Sequence, residues 1–111
     1  MEKILIDDVA KLDLRVGEIK SAEEHPNANK LLVLKVDLGE EEDRTIVAGL
    51  KNYYSVDELV GKKAIFVVNL KPVDLRGVES NGMILAASND GKEIVKILSV
   101  DGGLEVGSKV S

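Results

Sequence analysis

"RTIVAGLKNYYSVDELVGKKAIFVV", residues 44 to 68, changes its pattern twice. Arg44 to Ala48 and Ala64 to Val68 are short runs rich in β-branched and apolar residues, the composition of half-buried strands. Between them Ser55-Val56-Asp57-Glu58 fits the Ser-x-x-Glu capping box, in which the hydroxyl and the carboxylate each satisfy a free amide at a helix start. Gly61 closes the segment at a position that favours a left-handed residue. The stretch therefore reads strand, single helical turn, strand.

Working outward, the rest of the chain is mostly strand. Leu14, Val16 and Ile19 punctuate a first strand, and Leu32, Leu34, Val36 and Leu38 alternate with Val33, Lys35 and Asp37 in a second. Arg44 to Ala48 is then the third, Ala64 to Val68 the fourth and Met83 to Ala87 the fifth, with a later run at Glu93 to Leu98 and a last short strand at Lys109 and Val110. Asp7 or Asp8 starts a short helix through Lys11, and turns fall at Gly39 to Asp43, Asn81-Gly82, Asn89-Asp90-Gly91 and Asp101-Gly102-Gly103. Five short strands with one helix between the third and fourth is the element order of an all-β, five-stranded OB-fold Greek-key barrel with short terminal extensions. Such barrels use an exposed face and rim loops to take oligonucleotides. A sandwich or another small barrel fits the strand count too; the position of the helix favours the OB barrel.

At 111 residues the chain is a single domain, too short for both a cofactor fold and a separate substrate domain. Residues 12–88 read as the core and 89–111 as an extension that contributes to dimerisation. With no cysteine, disulfide frameworks and thiolate metal sites are excluded. The apolar runs are far shorter than a membrane span, and Glu2, Lys3, Asp7 and Asp8 stand where a signal peptide would be apolar, so the expectation is a cytoplasmic protein without a membrane partner. The net charge of −5 argues against a whole-domain basic footprint. Its distribution is uneven: from Arg44 to Arg76 six basic residues face three acids, so the middle carries +3 and the flanks −8. The acidic run Gly39 to Asp43 lacks the alternating ligands of a calcium loop and would repel phosphate, which places any nucleic-acid face away from it.

Catalytic chemistry finds little support. His25 is the single histidine, in "EEHPNANK", and none of Ser21, Ser55, Ser80 or Ser88 stands in a nucleophile-elbow context. His25 with Glu23 or Glu24 lacks helical ligand spacing and a second histidine, so a turn histidine before Pro26 is the better reading than a metal ligand. No phosphate-binding glycine fingerprint is present, and no cofactor is expected.

Five blocks in order, "DLRVGEI" (13–19), "HPNANKL" (25–31), "RTIVAGLKNYY" (44–54), "LVGKK" (59–63) and "NLKPVDLRGVESNGMILAAS" (69–88), resemble the tRNA-binding domain family. This is the barrel module appended to many methionyl-tRNA synthetases and also found as small free-standing proteins. The resemblance implies binding of tRNA by shape and backbone without chemistry on it, a homodimer for free-standing members, and a methionyl-tRNA synthetase catalytic subunit as a partner. It places Lys30, Lys51, Asn69, Lys71, Ser80 and Met83 on or beside the tRNA-contacting surface. Asn29 departs from the family's usual Asp, a change that keeps the same local turn bonds. The secretion-chaperone branch of the fold is also small and dimeric, but usually carries a serine-rich sequence where this chain has Ile46 to Leu50.

The chemistry of these residues suits the role. Lys71 precedes Pro72, which restricts its backbone, and Arg76 carries a planar fork that grips phosphate. Asn69 and Ser80 can donate to phosphate, ribose 2′-hydroxyl or base edges, and Met83 offers a polarizable surface. Each has a plainer reading beside it: Met83 opens an apolar strand, the Asn69 amide suits neighbouring backbone groups, and Arg15 suits a pair with Asp13. One of Tyr53 and Tyr54 is expected on the core.

Overall fold

The structure, a computed structural model, describes residues 1–111. Its centre is β1 (Leu14–Glu24), long enough to serve two neighbours. The first half, Leu14 to Glu18, pairs with β4 (Lys63–Val67), and the second, from Glu18 to Glu24, pairs with β2 (Leu32–Asp37). The register slips between Ile19 and Ser21, and such a bulge lets one strand bend from one sheet partner to the next. With β3 (Arg44–Ala48) on β2 and β7 (Met83–Ile84) on β4, the antiparallel order is β3-β2-β1-β4-β7. Five main strands make the OB-type barrel.

The outer strands, β3 and β7, share no ladder. A seam of two bonds joins the β3 edge to the chain just before β7: the Asn81 amide donates to the Thr45 carbonyl at 2.8 Å, and the Val47 amide donates to Ser80 Oγ at 2.9 Å. Ser80 thus takes the place of a missing strand carbonyl. Gly82 follows with φ +125°, and a Cβ there would lie 3.1 Å from the Val67 carbonyl oxygen, so the turn into β7 has room only for glycine.

Alternation in β2 sends Leu32, Leu34 and Val36 into a core shared with Ile19, Ile46 and Phe66, all almost fully buried. Val33, on the opposite face of the strand, is buried as well; it shares a groove with Pro26 and Val78. Gly17 lies against this core, where a Cβ would come within 3.0 Å of side chains of Leu38, Val36 and Phe66.

The helical turn falls between β3 and β4 as α2 (Val56–Leu59). Ser55 Oγ accepts the Glu58 amide at 3.2 Å while Glu58 Oε1 accepts the Ser55 amide at 2.8 Å, completing the capping box. Leu59 is fully buried, and Gly61 adopts φ +88° as it donates to the Ile19 carbonyl. At the N-terminus α1 (Ile6–Val9) begins earlier than expected. Asp8 does not cap from outside; it sits inside the first turn and its carboxylate reaches back to the Leu5 amide.

The expected fifth strand divides after Ile84. Leu85 bonds to Ile65 and Leu98, and the chain then pairs with itself in β8 (Ala86–Ser88) and β9 (Val95–Ile97). Before it, β5 (Val73–Leu75) and β6 (Val78–Ser80) form a two-residue hairpin in which Arg76 and Gly77 both have positive φ, the geometry of a type I′ turn. Residues 89–111 return to the barrel: Val95 and Ile97 pack on the core, and β10 (Lys109–Val110) pairs with Leu14 and Arg15. No helix is long and apolar enough to cross a membrane.

Candidate nucleic-acid interface

Two loops form one rim of the barrel, residues 25–31 between β1 and β2, and residues 68–82 between β4 and β7. His25 joins them. Its Nδ1 accepts the Asn27 amide at 2.9 Å, which leaves the proton on Nε2 to donate to the Leu75 carbonyl at 2.8 Å. The Asn27 side chain adds a longer bond to the Arg76 carbonyl at 3.4 Å. The buried histidine is a turn residue, as its sequence context suggested, and its use is to hold the two loops together. No group of three or more His, Asp and Glu side chains is placed to hold a metal ion.

The seven residues expected at a tRNA surface separate into groups. Arg76 stands exposed at the tip of the β5–β6 hairpin with φ +56°, a backbone that non-glycine residues seldom adopt. Lys71 is exposed and makes no ion pair. Lys30 and Lys51 adjoin through a bond from the Lys51 amide to the Lys30 carbonyl; the Lys51 ammonium is paired with Glu24 at 2.9 Å, whereas Lys30 is exposed and unpaired. Met83 is 46% exposed, so it faces solvent and not the core.

Asn69 and Ser80 are occupied elsewhere. Asn69 accepts the Asp13 amide at 2.8 Å and donates to the Lys11 carbonyl at 2.7 Å, stapling the N-terminal segment to the end of β4. Ser80 is 2% exposed, and besides accepting from Val47 its hydroxyl donates to the Gly82 carbonyl at 3.1 Å. The donor role expected of Ser80 toward RNA is therefore corrected. Both of its bonds go to the seam, because a β-edge without a partner strand must find another acceptor.

The positive middle of the chain is also thinned by pairing. Arg44 donates to both carboxylate oxygens of Glu40 at 2.8 Å, which holds the Glu40 carboxyl below its usual range, and it also donates to the Val68 carbonyl. Arg15 is likewise engaged with Asp13 at 2.6 Å, which lowers the Asp13 carboxyl.

Three grooves divide the surface by charge. A broad one of about 990 Å³ over β2 and β3 is bounded by six acids, namely Glu23, Glu79 and the loop Glu40 to Asp43, against Lys35 and Arg44. Phosphate is repelled there, although this is the face an OB barrel usually offers. A second groove of about 470 Å³ is lined by Lys30, Asn52, Tyr53, Ser88 and Lys92 among others, with no acid. A third, of about 370 Å³, holds Tyr54, Lys62, Lys63 and Lys96, again with no acid. Neither basic groove was expected as such. Lys92 and Lys96 lie in and after the Asn89-Asp90-Gly91 turn, and that turn signal was the available pointer to them.

An OB-type barrel with a joined rim, an acidic face and two cationic grooves is a binding module. The chain belongs to the putative tRNA-binding domain family, whose profile matches residues 14–109. It is 54% identical over 110 residues to methionine–tRNA ligases of Pyrococcus horikoshii and Methanocaldococcus jannaschii, a match that covers 99% of this chain and 15% and 17% of theirs. The chain thus spans about a sixth of the length of these relatives. Among solved structures, a MetRS-related protein from Pyrococcus horikoshii superimposes with a TM-score of 0.92 at 41% identity over the whole of both chains. The chaperone CsaA from Bacillus anthracis does so with a TM-score of 0.88 at 28% identity, over 99% of this chain and 100% of that one.

Proposed function

We propose that the protein is a non-catalytic, structure-selective tRNA-binding module of the cytoplasm that works as the detached subunit supplying tRNA to a methionyl-tRNA synthetase. The observation that carries this reading is the likeness to methionine–tRNA ligases over 99% of the chain. The full-length match to the MetRS-related protein supports a free-standing form. Exposed Lys71, Arg76 and Lys30 on two joined loops suit backbone contacts to folded RNA, in which shape counts for more than sequence. By raising the local tRNA concentration the module lowers the apparent KM of the synthetase for tRNA, and two copies per dimer add avidity.

The homodimer has its own support. Helix α1 has no buried residue, and Ile4, Leu5, Ile6 and Val9 are all at least half exposed. An apolar turn so displayed suits burial against a second copy. Light scattering on the chain and on Ile6→Glu should show a dimer and a monomer respectively; a monomeric parent chain removes this part of the reading.

Phosphate contact makes affinity fall with salt by roughly 0.7–0.9 logarithmic units of slope per contact. The test is titration of the purified chain with folded tRNA and with length-matched single-stranded DNA over a range of salt. Tighter, steeply salt-dependent binding of tRNA is expected, and Lys71→Ala should flatten the slope by about one contact. No binding of either nucleic acid at low salt rejects the reading. A protein-binding, chaperone-like homodimer would then take its place, a second reading supported by the likeness to chaperone CsaA.

A further inference from the structure

The acidic groove lies where an OB barrel usually takes its ligand, so RNA that touches the rim loops must leave them on the side of Lys30, away from that groove. We propose that it passes along the β8–β9 hairpin, with one unpaired nucleotide seated in the groove of Lys30, Asn52 and Tyr53, its own phosphate held by Lys92 and its flanking phosphates by Lys62 and Lys96. The inference rests on the tRNA-binding reading above and assigns it a site.

The first argument is charge. In a chain of net −5, the two grooves beside this hairpin contain lysines and no acid. None of Lys30, Lys62, Lys92 or Lys96 is in an ion pair. Asp90 and Glu93 share the hairpin turn, and Glu58 on α2 is near enough to Lys62 and Lys96 for their charges to help lower its carboxyl; all three acids lie outside both grooves.

The second argument is continuity. Tyr53 lines one groove and its neighbour Tyr54 the other, while Val95 borders the first and Lys96 and Ile97 the second. Residues adjacent in the chain thus border both grooves, and the proposed RNA strand runs from one to the other around the edge of the hairpin.

The third is preorganisation. The Tyr53 hydroxyl donates to the Lys92 carbonyl at 2.8 Å, tying the ring to the hairpin. Lys92 sits at φ +52°, a strained position for a side-chain-bearing residue, in a turn organised by Asn89 Oδ1, which accepts the Glu93 and Ile94 amides. Tyr54 accepts the Ile97 amide at 3.1 Å, and the Lys96 ammonium rests 5.7 Å from its ring centre. An aromatic ring held by its hydroxyl offers a stacking surface with little ordering cost, and a base must leave its own stack to use it. Asn52 supplies the polar edge. A volume of about 470 Å³ is in the range of small-ligand sites.

Gly49 permits a test that changes no charge. It lines the groove, its φ is not positive, and an added Cβ would meet no heavy atom within 4 Å, so Gly49→Trp is chosen to crowd the groove without backbone strain at its attachment point. The full chain, Gly49→Trp, Lys92→Ala, Tyr53→Ala, Tyr53→Phe and, as a charge control outside both grooves, Lys20→Ala are titrated with unfractionated folded tRNA at two salt concentrations, with thermal midpoints measured in parallel. Gly49→Trp and Tyr53→Ala should each lose about ten-fold in affinity, with Tyr53→Phe retaining most of it. For Lys92→Ala the deficit should shrink about three-fold between 50 and 200 mM salt, as one lost phosphate contact requires. Lys20→Ala should bind as the parent does.

If the parent binds tRNA and the groove variants bind it equally well, the site is wrong while the tRNA-binding reading stands. A parent chain that binds no tRNA takes both down. Variants that lose capture of an unfolded polypeptide but keep tRNA make the groove a protein site and overturn the assignment. Should Gly49→Trp lower the thermal midpoint, Lys92→Ala decides alone, since its side chain projects from an exposed turn.

Discussion

Ser80→Ala separates a role in holding the barrel from a role in touching RNA. Removing the hydroxyl leaves the Val47 amide without its acceptor at a position 7% exposed, where water cannot replace it, and also strips a donor from the Gly82 carbonyl. A buried group left unsatisfied costs about 1–3 kcal/mol. Unfolding entropy of about 2.1 cal/mol/K per residue converts each kcal/mol into roughly 4 °C for a chain of this length. A fall in Tm of about 4–13 °C is therefore expected by scanning calorimetry or circular dichroism. Because Val47 and Gly82 belong to the seam between β3 and β7, hydrogen exchange should speed up at Val47 and Asn81 together. The tRNA affinity of the folded fraction, measured well below the transition, should stay within about two-fold of the parent, less than one broken charge-assisted bond would cause. An unchanged Tm accompanied by a ten-fold loss of affinity would refute the reasoning and return Ser80 to the RNA surface.

Other expectations follow from single contacts. His25→Ala should abolish exchange protection of the Asn27 amide and weaken tRNA binding although it removes no contact charge; protection that persists means the rim holds without the histidine. Gly17→Ala drives a methyl to within 2.8 Å of Leu38, an overpacking worth about 1–3 kcal/mol, which a thermal melt checks; an unaltered melt would mean the core yields freely. Glu58 is held below its usual 4.5, first by the Ser55 amide and then by the Ser55 hydroxyl. A depressed carboxyl contributes stability that is present above its unfolded value and is lost as pH falls through the folded one. Glu58→Gln keeps an acceptor but cannot titrate, so denaturation profiles below about pH 4.5 should be flatter than the parent's. Asp13 with Arg15 and Glu40 with Arg44 add to the same acid limb with the same sign.

Much of the architecture was legible because its signals are local. The capping box at Ser55 and Glu58 spans four residues, the alternation of Leu32, Leu34 and Val36 has a period of two, and Gly61 marks a left-handed turn by residue type. Each is a statement about neighbours along the chain, and residue chemistry alone is enough to make it. The misplaced start of α1 shows the limit: an acid near a helix start acts equally well as the cap or from inside the first turn, and only backbone geometry tells the two apart.

The site was less legible because its bonds join distant residues. Ser80 meets Val47 across 33 positions, His25 meets Leu75 across 50 and Asn69 meets Asp13 across 56, so the backbone groups that take up these polar side chains are ones the local sequence does not mention. Charge behaved in the same way. The positive middle of the chain is partly cancelled when Glu40 meets Arg44 and Glu24 meets Lys51, while Lys30, Lys92 and Tyr53, remote in sequence, come to line one groove. Short-range pattern specified a small β barrel, and the resemblance of five ordered motif blocks pointed to its family. Which of its cations remain free, and what they face, was settled by closure of the barrel, because a hydrogen bond or an ion pair is counted in space and not along the chain.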